Sequence, residues 1–200
     1  MLNEIGADVI ALQEVESRAS GIDMLAWLAK QTGFHPVAGT TLQRADGHYG
    51  NGLLTRCPVT RTRVIDLSFG RREPRGAISA DLMCDGEQIR VVATHLGLRP
   101  AERREQVEQL LNLFRESPDD RAALMGDLNE WFLWGRPLRR LHRYFKHTPS
   151  PPTFPSVAPL LALDRLWTHP RAILRRLVVH RSRTARAASD HLPLVAELEF

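Results

Sequence analysis

The stretch that most constrains this chain is Ala122-Ala123-Leu124-Met125, which runs directly into Gly126-Asp127-Leu128-Asn129. A short apolar run entered from the charged Asp119-Asp120-Arg121 and ended by a glycine has the pattern of a strand buried on both faces. Its end presents a carboxylate and an amide side by side, and open α/β sheets place their ligands beyond the carboxyl ends of strands. An Asx turn closing the strand explains the same two residues without any ligand, because Asp and Asn favour turns through local hydrogen bonds. The remaining sequence has to separate the two readings.

At 200 residues and 43% hydrophobic content, the chain suits a single domain, residues 1–200, with a sizeable core. No stretch approaches the ~20 apolar residues of a membrane span. Met1-Leu2-Asn3-Glu4-Ile5-Gly6 lacks a basic segment followed by an apolar one, so it does not read as a signal peptide. The expected location is cytoplasmic, provided the chain start is complete. Cys57 and Cys84 are too few for a disulfide framework or a metal cluster and read as small buried apolar residues. The net charge of +4 comes almost entirely from arginine, since Lys30 and Lys146 are the only lysines. Arginine's planar fork suits phosphate oxygens, which leaves nucleic acid open as a substrate without establishing it.

Helices are expected over Met1 to Gly6, over Ile22 to Thr32 with Ile22, Leu25, Leu28 and Ala29 as its apolar face, and from Pro100 to about Glu116. Trp131 to Phe145 reads as a basic, aromatic helix. Strands are expected at Asp8 to Glu14, His35 to Gln43, Tyr49 to Arg56, Val59 to Leu67, Ala77 to Cys84, Gln88 to Thr94 and Arg121 to Met125. Three more, Leu161 to Trp167, Ile173 to His180 and Leu192 to Phe200, close the chain after a proline-rich loop over His147 to Pro159. Ala77 to Cys84 alternates in a one-sided pattern, and Asp85-Gly86 after it is a hairpin signal. The reading is α/β (α+β), two packed mixed sheets flanked by helices.

Several strands end in groups suited to phosphate chemistry: Glu14, Asn51, His95, Asp127 with Asn129, Asp164, and Asp190 with His191. Singly, each has a bland explanation as a turn residue, a solvated strand end, a core histidine or half of a surface ion pair. Together they point elsewhere. Hard oxygen ligands such as Glu14, Asp127, Asn129 and Asp190 suit Mg²⁺ or Mn²⁺, which combine carboxylates with water and substrate phosphate. Histidines move protons near neutral pH when a carboxylate fixes the tautomer. Carboxylates plus histidines, without a Ser or Cys nucleophile motif, indicate metal-assisted hydrolysis by water.

In this order the motifs resemble the endonuclease/exonuclease/phosphatase superfamily, which has the deoxyribonuclease I fold. The matching pieces are Leu12-Gln13-Glu14-Val15, Gly50-Asn51-Gly52-Leu53-Leu54, Arg72-Glu73-Pro74-Arg75-Gly76, Thr94-His95-Leu96, Gly126-Asp127-Leu128-Asn129, Leu163-Asp164-Arg165-Leu166 and Ser189-Asp190-His191-Leu192-Pro193-Leu194. Thr153-Phe154-Pro155-Ser156 is similar to the small bacterial members. The resemblance implies a four-layer αββα sandwich and a divalent-metal-dependent phosphoesterase. By the same resemblance, Glu14 is the principal metal ligand and Asp190 completes the metal or water side. Asp127 and Asn129 orient or deprotonate water, His191 pairs with Asp164, and His95 is oriented by Glu73. Asn51, Arg75 and Arg165 contact substrate.

One departure concerns the start. Members begin with a strand ending in asparagine, whereas this chain opens in the helix that should follow it. The expectation is a domain lacking its first strand, through a late-set start, a cut chain or a shortened member, with one metal ligand lost. A phosphodiester, including nucleic acid, is the expected substrate. The alternatives are a phosphomonoester or phospholipid, or a catalytically impaired binding protein or fragment. Trp131, Phe132 and Trp134, beside Arg136, Arg139, Arg140 and Arg143, suit base stacking or a lipid surface, or else form a helix with a solvated basic face. No protein partner is expected.

Overall fold

The computed structural model describes residues 1–18, 21–45, 47–117 and 120–200, so Asp119 on the charged approach to the central strand lies outside the described residues. Helix α1 (Leu2–Ile5) stops at Gly6 in the left-handed region, strand β1 (Val9–Arg18) follows, and helix α2 (Met24–Thr32) begins at Asp23. The Asp23 carboxylate accepts the Ala26 N–H at 3.1 Å, an N-cap that starts the helix two residues later than its apolar spacing suggests. Ile22 therefore precedes the helix and is exposed, while Leu25 and Ala29 pack against Phe34 and Leu54.

Of strands β2 (His35–Arg44), β3 (Gly47–Thr55), β4 (Val59–Asp66), β5 (Gly76–Cys84) and β6 (Glu87–His95), β2 pairs with β3, β4 with β5 and β5 with β6, all antiparallel. Asp85-Gly86 closes the β5–β6 hairpin, with Cys84 opposite Glu87 and both turn residues at positive φ. Helix α3 (Pro100–Arg115) then crosses over so that β7 (Ala122–Asp127) lies parallel to β6, as a parallel pair requires. Helix α4 (Arg136–Phe145), β8 (Asp164–His169), β9 (Leu174–Val179), helix α5 (Arg183–Ala188) and β10 (Leu194–Leu198) complete the chain.

One sheet has five strands in the order β4-β5-β6-β7-β8. The layer packed against it consists of a three-stranded sheet, β1-β3-β2, and a two-stranded sheet, β9-β10. Between the layers lie Leu53, Ile78, Ala80, Leu82, Val91, Ala93 and Ile173. On the other face of the five-stranded sheet, Leu124 and Trp167 meet Leu110 and Phe114 of α3 and Leu138, Leu141 and Phe145 of α4. The architecture is thus the expected two packed sheets flanked by helices. Because β5 is covered on both faces, Gly76 to Leu82 are all buried, and the alternation that suggested a one-sided strand instead sorts residues between two cores. Among the described residues, β1 pairs only with β3 and β10 only with β9, leaving one edge of each without a strand partner.

Two expectations are corrected here. The helix begins at Arg136, not Trp131, because Gly135 and Pro137 set its N-terminus; residues 131–134 form an exposed loop. Cys57 and Cys84, expected as free buried residues, form a disulfide with Cα atoms 5.2 Å apart. The register that sets Val59 opposite Leu82 carries outward to this pair. By closing a 27-residue separation, the bridge is expected to contribute about 2–4 kcal/mol. A Cys57→Ser/Cys84→Ser protein should melt at lower temperature than wild type, and adding a reductant should erase the difference.

Candidate active site

The register of the five-stranded sheet sets three polar residues in one row: His95 on β6 is the partner of Asp127 on β7, which is the partner of Asp164 on β8. Neighbouring strands lie about 4.8 Å apart, so the row is close enough for every member to feel the others' charge. Gly126 makes the approach possible. It sits at φ 141, and a Cβ there would lie 1.8 Å from the Thr94 carbonyl oxygen.

Beyond Gly126, Asp127 Oδ1 accepts the Asn129 N–H at 2.8 Å, with Asn129 in the left-handed region at φ 50. The Asx turn weighed against a ligand site is therefore present and is part of the site. It points the Asn129 amide at the Leu96 carbonyl, 2.9 Å away, and at His95 Nε2, 3.0 Å away.

His95 is buried and met from four sides. Arg75 Nη1 lies 3.1 Å from Nδ1, Glu14 Oε1 lies 3.9 Å from the same nitrogen, and Asp127 Oδ2 lies 3.5 Å from Nε2 alongside Asn129. A guanidinium only donates, so Nδ1 faces a donor; Nε2 faces a second donor, the Asn129 amide nitrogen, together with one acceptor, the Asp127 carboxylate. Burial, then the positive charges of Arg75 and His191, push the His95 pKa down to about 3, so the ring is neutral at physiological pH. Glu73 does not touch His95 as expected. It accepts from Arg75 Nη2 at 3.0 Å, and it orients the histidine only by holding the arginine.

Asp127 behaves in the opposite sense. Burial, then repulsion from Asp164, raise its pKa to about 6, the range suited to a general base near neutral pH. On the other side of the row, His191 Nδ1 lies 2.8 Å from Asp164 Oδ2, which also accepts the Thr153 hydroxyl. Burial opposes charge on His191, but the hydrogen bond and charge of Asp164, with Asp127 and Asp190, outweigh it and raise the pKa. The Phe154 ring, 4.8 Å from the imidazole, covers one flank. Asp190 is exposed, and its backbone carbonyl accepts the Ser156 N–H at 2.6 Å.

Glu14 sits in a bulge of β1 between Leu12 and Val15, itself at φ 56. The bulge re-aims its side chain into a small pocket lined also by Tyr49, Asn51, Arg75 and His95. Tyr49 hydrogen-bonds Glu14, and burial, then this contact, raise the phenol's pKa. Asn51 donates to the Gly76 carbonyl at 2.9 Å, which leaves its amide oxygen for the pocket. Among the described residues, no three His, Cys, Asp or Glu side chains form a metal cluster. Mg²⁺, however, commonly takes one or two carboxylates and fills its shell with water and phosphate, and the exposed Glu14 carboxylate fits that role. Arg75 Nε is buried without a partner beside it, a donor left for an anion.

Arg165 is placed differently from expectation. It is buried, with Nε donating to the Ala162 carbonyl at 2.7 Å and Nη1 bonded to Ser150. It clamps the proline-rich loop. Tyr49 and Thr153 are site residues that sequence reasoning misses, although Tyr49 borders one motif and Thr153 stands inside another. Tyr49 precedes Gly50-Asn51, and Thr153 opens Thr153-Phe154-Pro155-Ser156.

The model of the Endonuclease/Exonuclease/phosphatase family matches residues 1–191. Uncharacterized protein YbhP of Escherichia coli K12 is 32% identical over 215 aligned positions, covering 98% of this chain and 85% of the relative. Two solved structures share the fold. One is a functionally unknown conserved protein from Enterococcus faecalis, 18% identical with a TM-score of 0.81 over 99% of this chain and 87% of that one. The other is a mannosyl-6-phosphatase from Bacteroides thetaiotaomicron, 16% identical with a TM-score of 0.75 over 100% and 88%.

Proposed function

The chain belongs to the endonuclease/exonuclease/phosphatase family, whose members include nucleases and phosphatases, and from that premise we propose that it is a divalent-metal-dependent hydrolase of phosphodiesters. The observation that carries this reading is the row His95–Asp127–Asp164 across three strands, with Asp127 raised to about 6 and His191 hydrogen-bonded to Asp164, which raises its pKa. Asp127 takes a proton from water and directs it at phosphorus. His191, as imidazolium, delivers a proton to the leaving oxygen, and Asp164 with Thr153 keeps its ring in place. Arg75 holds the non-bridging oxygens, with neutral His95 and Asn129 packed beside it, and Asn51 presents its amide oxygen to the Glu14 side of the pocket. Glu14 and Asp190 would hold Mg²⁺ or Mn²⁺, which when bound would offset the charge developing on the phosphate.

The unpaired edges of β1 and β10 support a further part of the reading: an additional strand joins the two pieces of that layer and completes the side of the site nearest Glu14. The disulfide argues against the cytoplasmic location expected from sequence, since such bonds persist in oxidising compartments. No helix of the described residues is long and apolar enough to cross a membrane.

The test is hydrolysis of bis(p-nitrophenyl) phosphate with and without Mg²⁺. Turnover should require the metal, and His191→Ala should reduce kcat about 10²–10⁴-fold. Turnover by the variant equal to wild type would remove His191 from the mechanism.

A further inference from the structure

The edge of the sheet that carries the row also carries an unusual amount of exposed apolar surface. Parallel β6 and β7 both end there, and β8, antiparallel to β7, begins there, so three loops share one rim. The loop after β7 exposes four consecutive large apolar residues, Trp131, Phe132, Leu133 and Trp134, each more than half accessible. Across the mouth, the loop after β6 exposes Leu98, and the segment before β8 exposes Val157 and Leu160. Monomers seldom leave such a cluster to water without a use for it.

The aromatic loop is held in place. Phe132 N–H donates to Glu130 Oε1 at 3.2 Å, Gly135 N–H to the Phe132 carbonyl at 2.9 Å, and Arg139 Nη1 to the Trp134 carbonyl at 2.7 Å. Its backbone groups are spent inward while its side chains project outward. Helix α4 continues directly from it, burying Leu138, Leu141 and Phe145 and exposing Arg136, Arg139, Arg140 and Arg143. Arg140 is paired with Glu108, whereas the other three carry no ion pair among the described residues.

Apolar side chains at the tip, with cations alongside and an open site two residues away at Asn129, match the chemistry of an anionic lipid interface. A stacking platform for bases uses ring faces; Trp131, Phe132 and Trp134 offer them, but the remaining exposed apolar residues of the rim, Leu98, Leu133, Val157 and Leu160, do not, whereas all seven suit a lipid interface. We propose that this rim docks on an anionic bilayer and that the substrate is a phosphate ester carried in it. The inference rests on the phosphoesterase reading for its chemistry, but the docking surface stands on the rim alone.

Flotation with vesicles of phosphatidylglycerol and phosphatidylcholine, against vesicles of phosphatidylcholine alone, tests it. Wild type should float with the anionic vesicles, and Trp131→Ser/Trp134→Ser should lower the bound fraction at least tenfold. Arg136→Glu/Arg143→Glu, which leaves the apolar tip intact, should do the same at low salt. Both variants should keep wild-type turnover of bis(p-nitrophenyl) phosphate, which needs no surface. Absence of flotation by wild type, equal flotation by both variants, or tryptophan-dependent binding to a single-stranded oligonucleotide in place of vesicles would each overturn the proposal. Flotation without diester turnover would keep the docking surface and reject the phosphoesterase reading instead.

Discussion

Asp127→Asn should slow turnover severely and at the same time stabilise the protein above pH 6. The two effects share one cause. Asp127 is buried beside Asp164, and its pKa is pushed up to about 6 from the ordinary 3.8. A carboxyl whose folded pKa is raised binds its proton more tightly in the folded chain than in the unfolded one. Its contribution is therefore fully present below pH 4 and is lost as pH rises through 6, after which folding carries the cost of a buried anion. Moving the pKa from 3.8 to about 6 corresponds to about 3 kcal/mol. Asparagine removes that anion but keeps Oδ1 to accept the Asn129 N–H, so the turn survives. Urea denaturation without added metal should show the variant more stable than wild type by about 2–3 kcal/mol at pH 8, with the gap closing by pH 4. Turnover should fall about 10³-fold. A variant less stable than wild type at pH 8 would mean that the ionised carboxylate is held by partners better than burial penalises it.

What could be read before the fold was known follows from how local each feature is. The end of β7 was legible because a short apolar run, a glycine and an Asp-x-Asn sequence express strand and turn chemistry within eight residues. Asp85-Gly86 was legible for the same reason. The row His95–Asp127–Asp164 was legible as a set of strand ends but not as a row, because adjacency depends on register. Register is also what joins Cys57 to Cys84, and two cysteines 27 residues apart carry no local sign of it. Ile22 was misplaced because the cap at Asp23 outweighs apolar spacing. The Trp131–Trp134 segment reads as helix from sequence because aromatic residues before a helix look like its continuation, whereas Gly135 and Pro137 set the start. Sequence assigns Glu73 to His95 and Arg165 to the substrate, because a motif names residues without saying which neighbour they reach. The buried ion pair beneath the rim had no signal at all, since Arg103 stands in the charged stretch Glu102-Arg103-Arg104-Glu105 that reads as a solvated helix face.

That ion pair is where the second large effect is expected. Arg103 on α3 and Glu130, just past Asn129, are almost completely buried, and Nε and Nη2 of the guanidinium both lie 3.3 Å from Glu130 Oε2. The remaining nitrogen donates to the carbonyls of Leu98 at 2.7 Å and Gly97 at 3.3 Å. One side chain thus ties the loop after β6 to the loop after β7, directly beneath His95 and Asn129. Its environment leaves no room for adjustment: a Cβ on Gly135 would come within 2.5 Å of the Glu130 carboxylate, and one on Gly97 within 1.9 Å of Glu102. Arg103→Met leaves Glu130 as an uncompensated buried charge and should cost about 3–5 kcal/mol. The double variant Arg103→Met/Glu130→Met removes both charges and should recover a large part of that loss. Denaturation curves of the two singles and the double measure the coupling directly. A double variant no more stable than Arg103→Met would show that the guanidinium acts through the Gly97 and Leu98 carbonyls instead of through Glu130. Stability and catalysis should separate in the same series. The double variant, though refolded, loses the tie between the loops and should turn over bis(p-nitrophenyl) phosphate more slowly than wild type, because the donors around the phosphate no longer share one anchor.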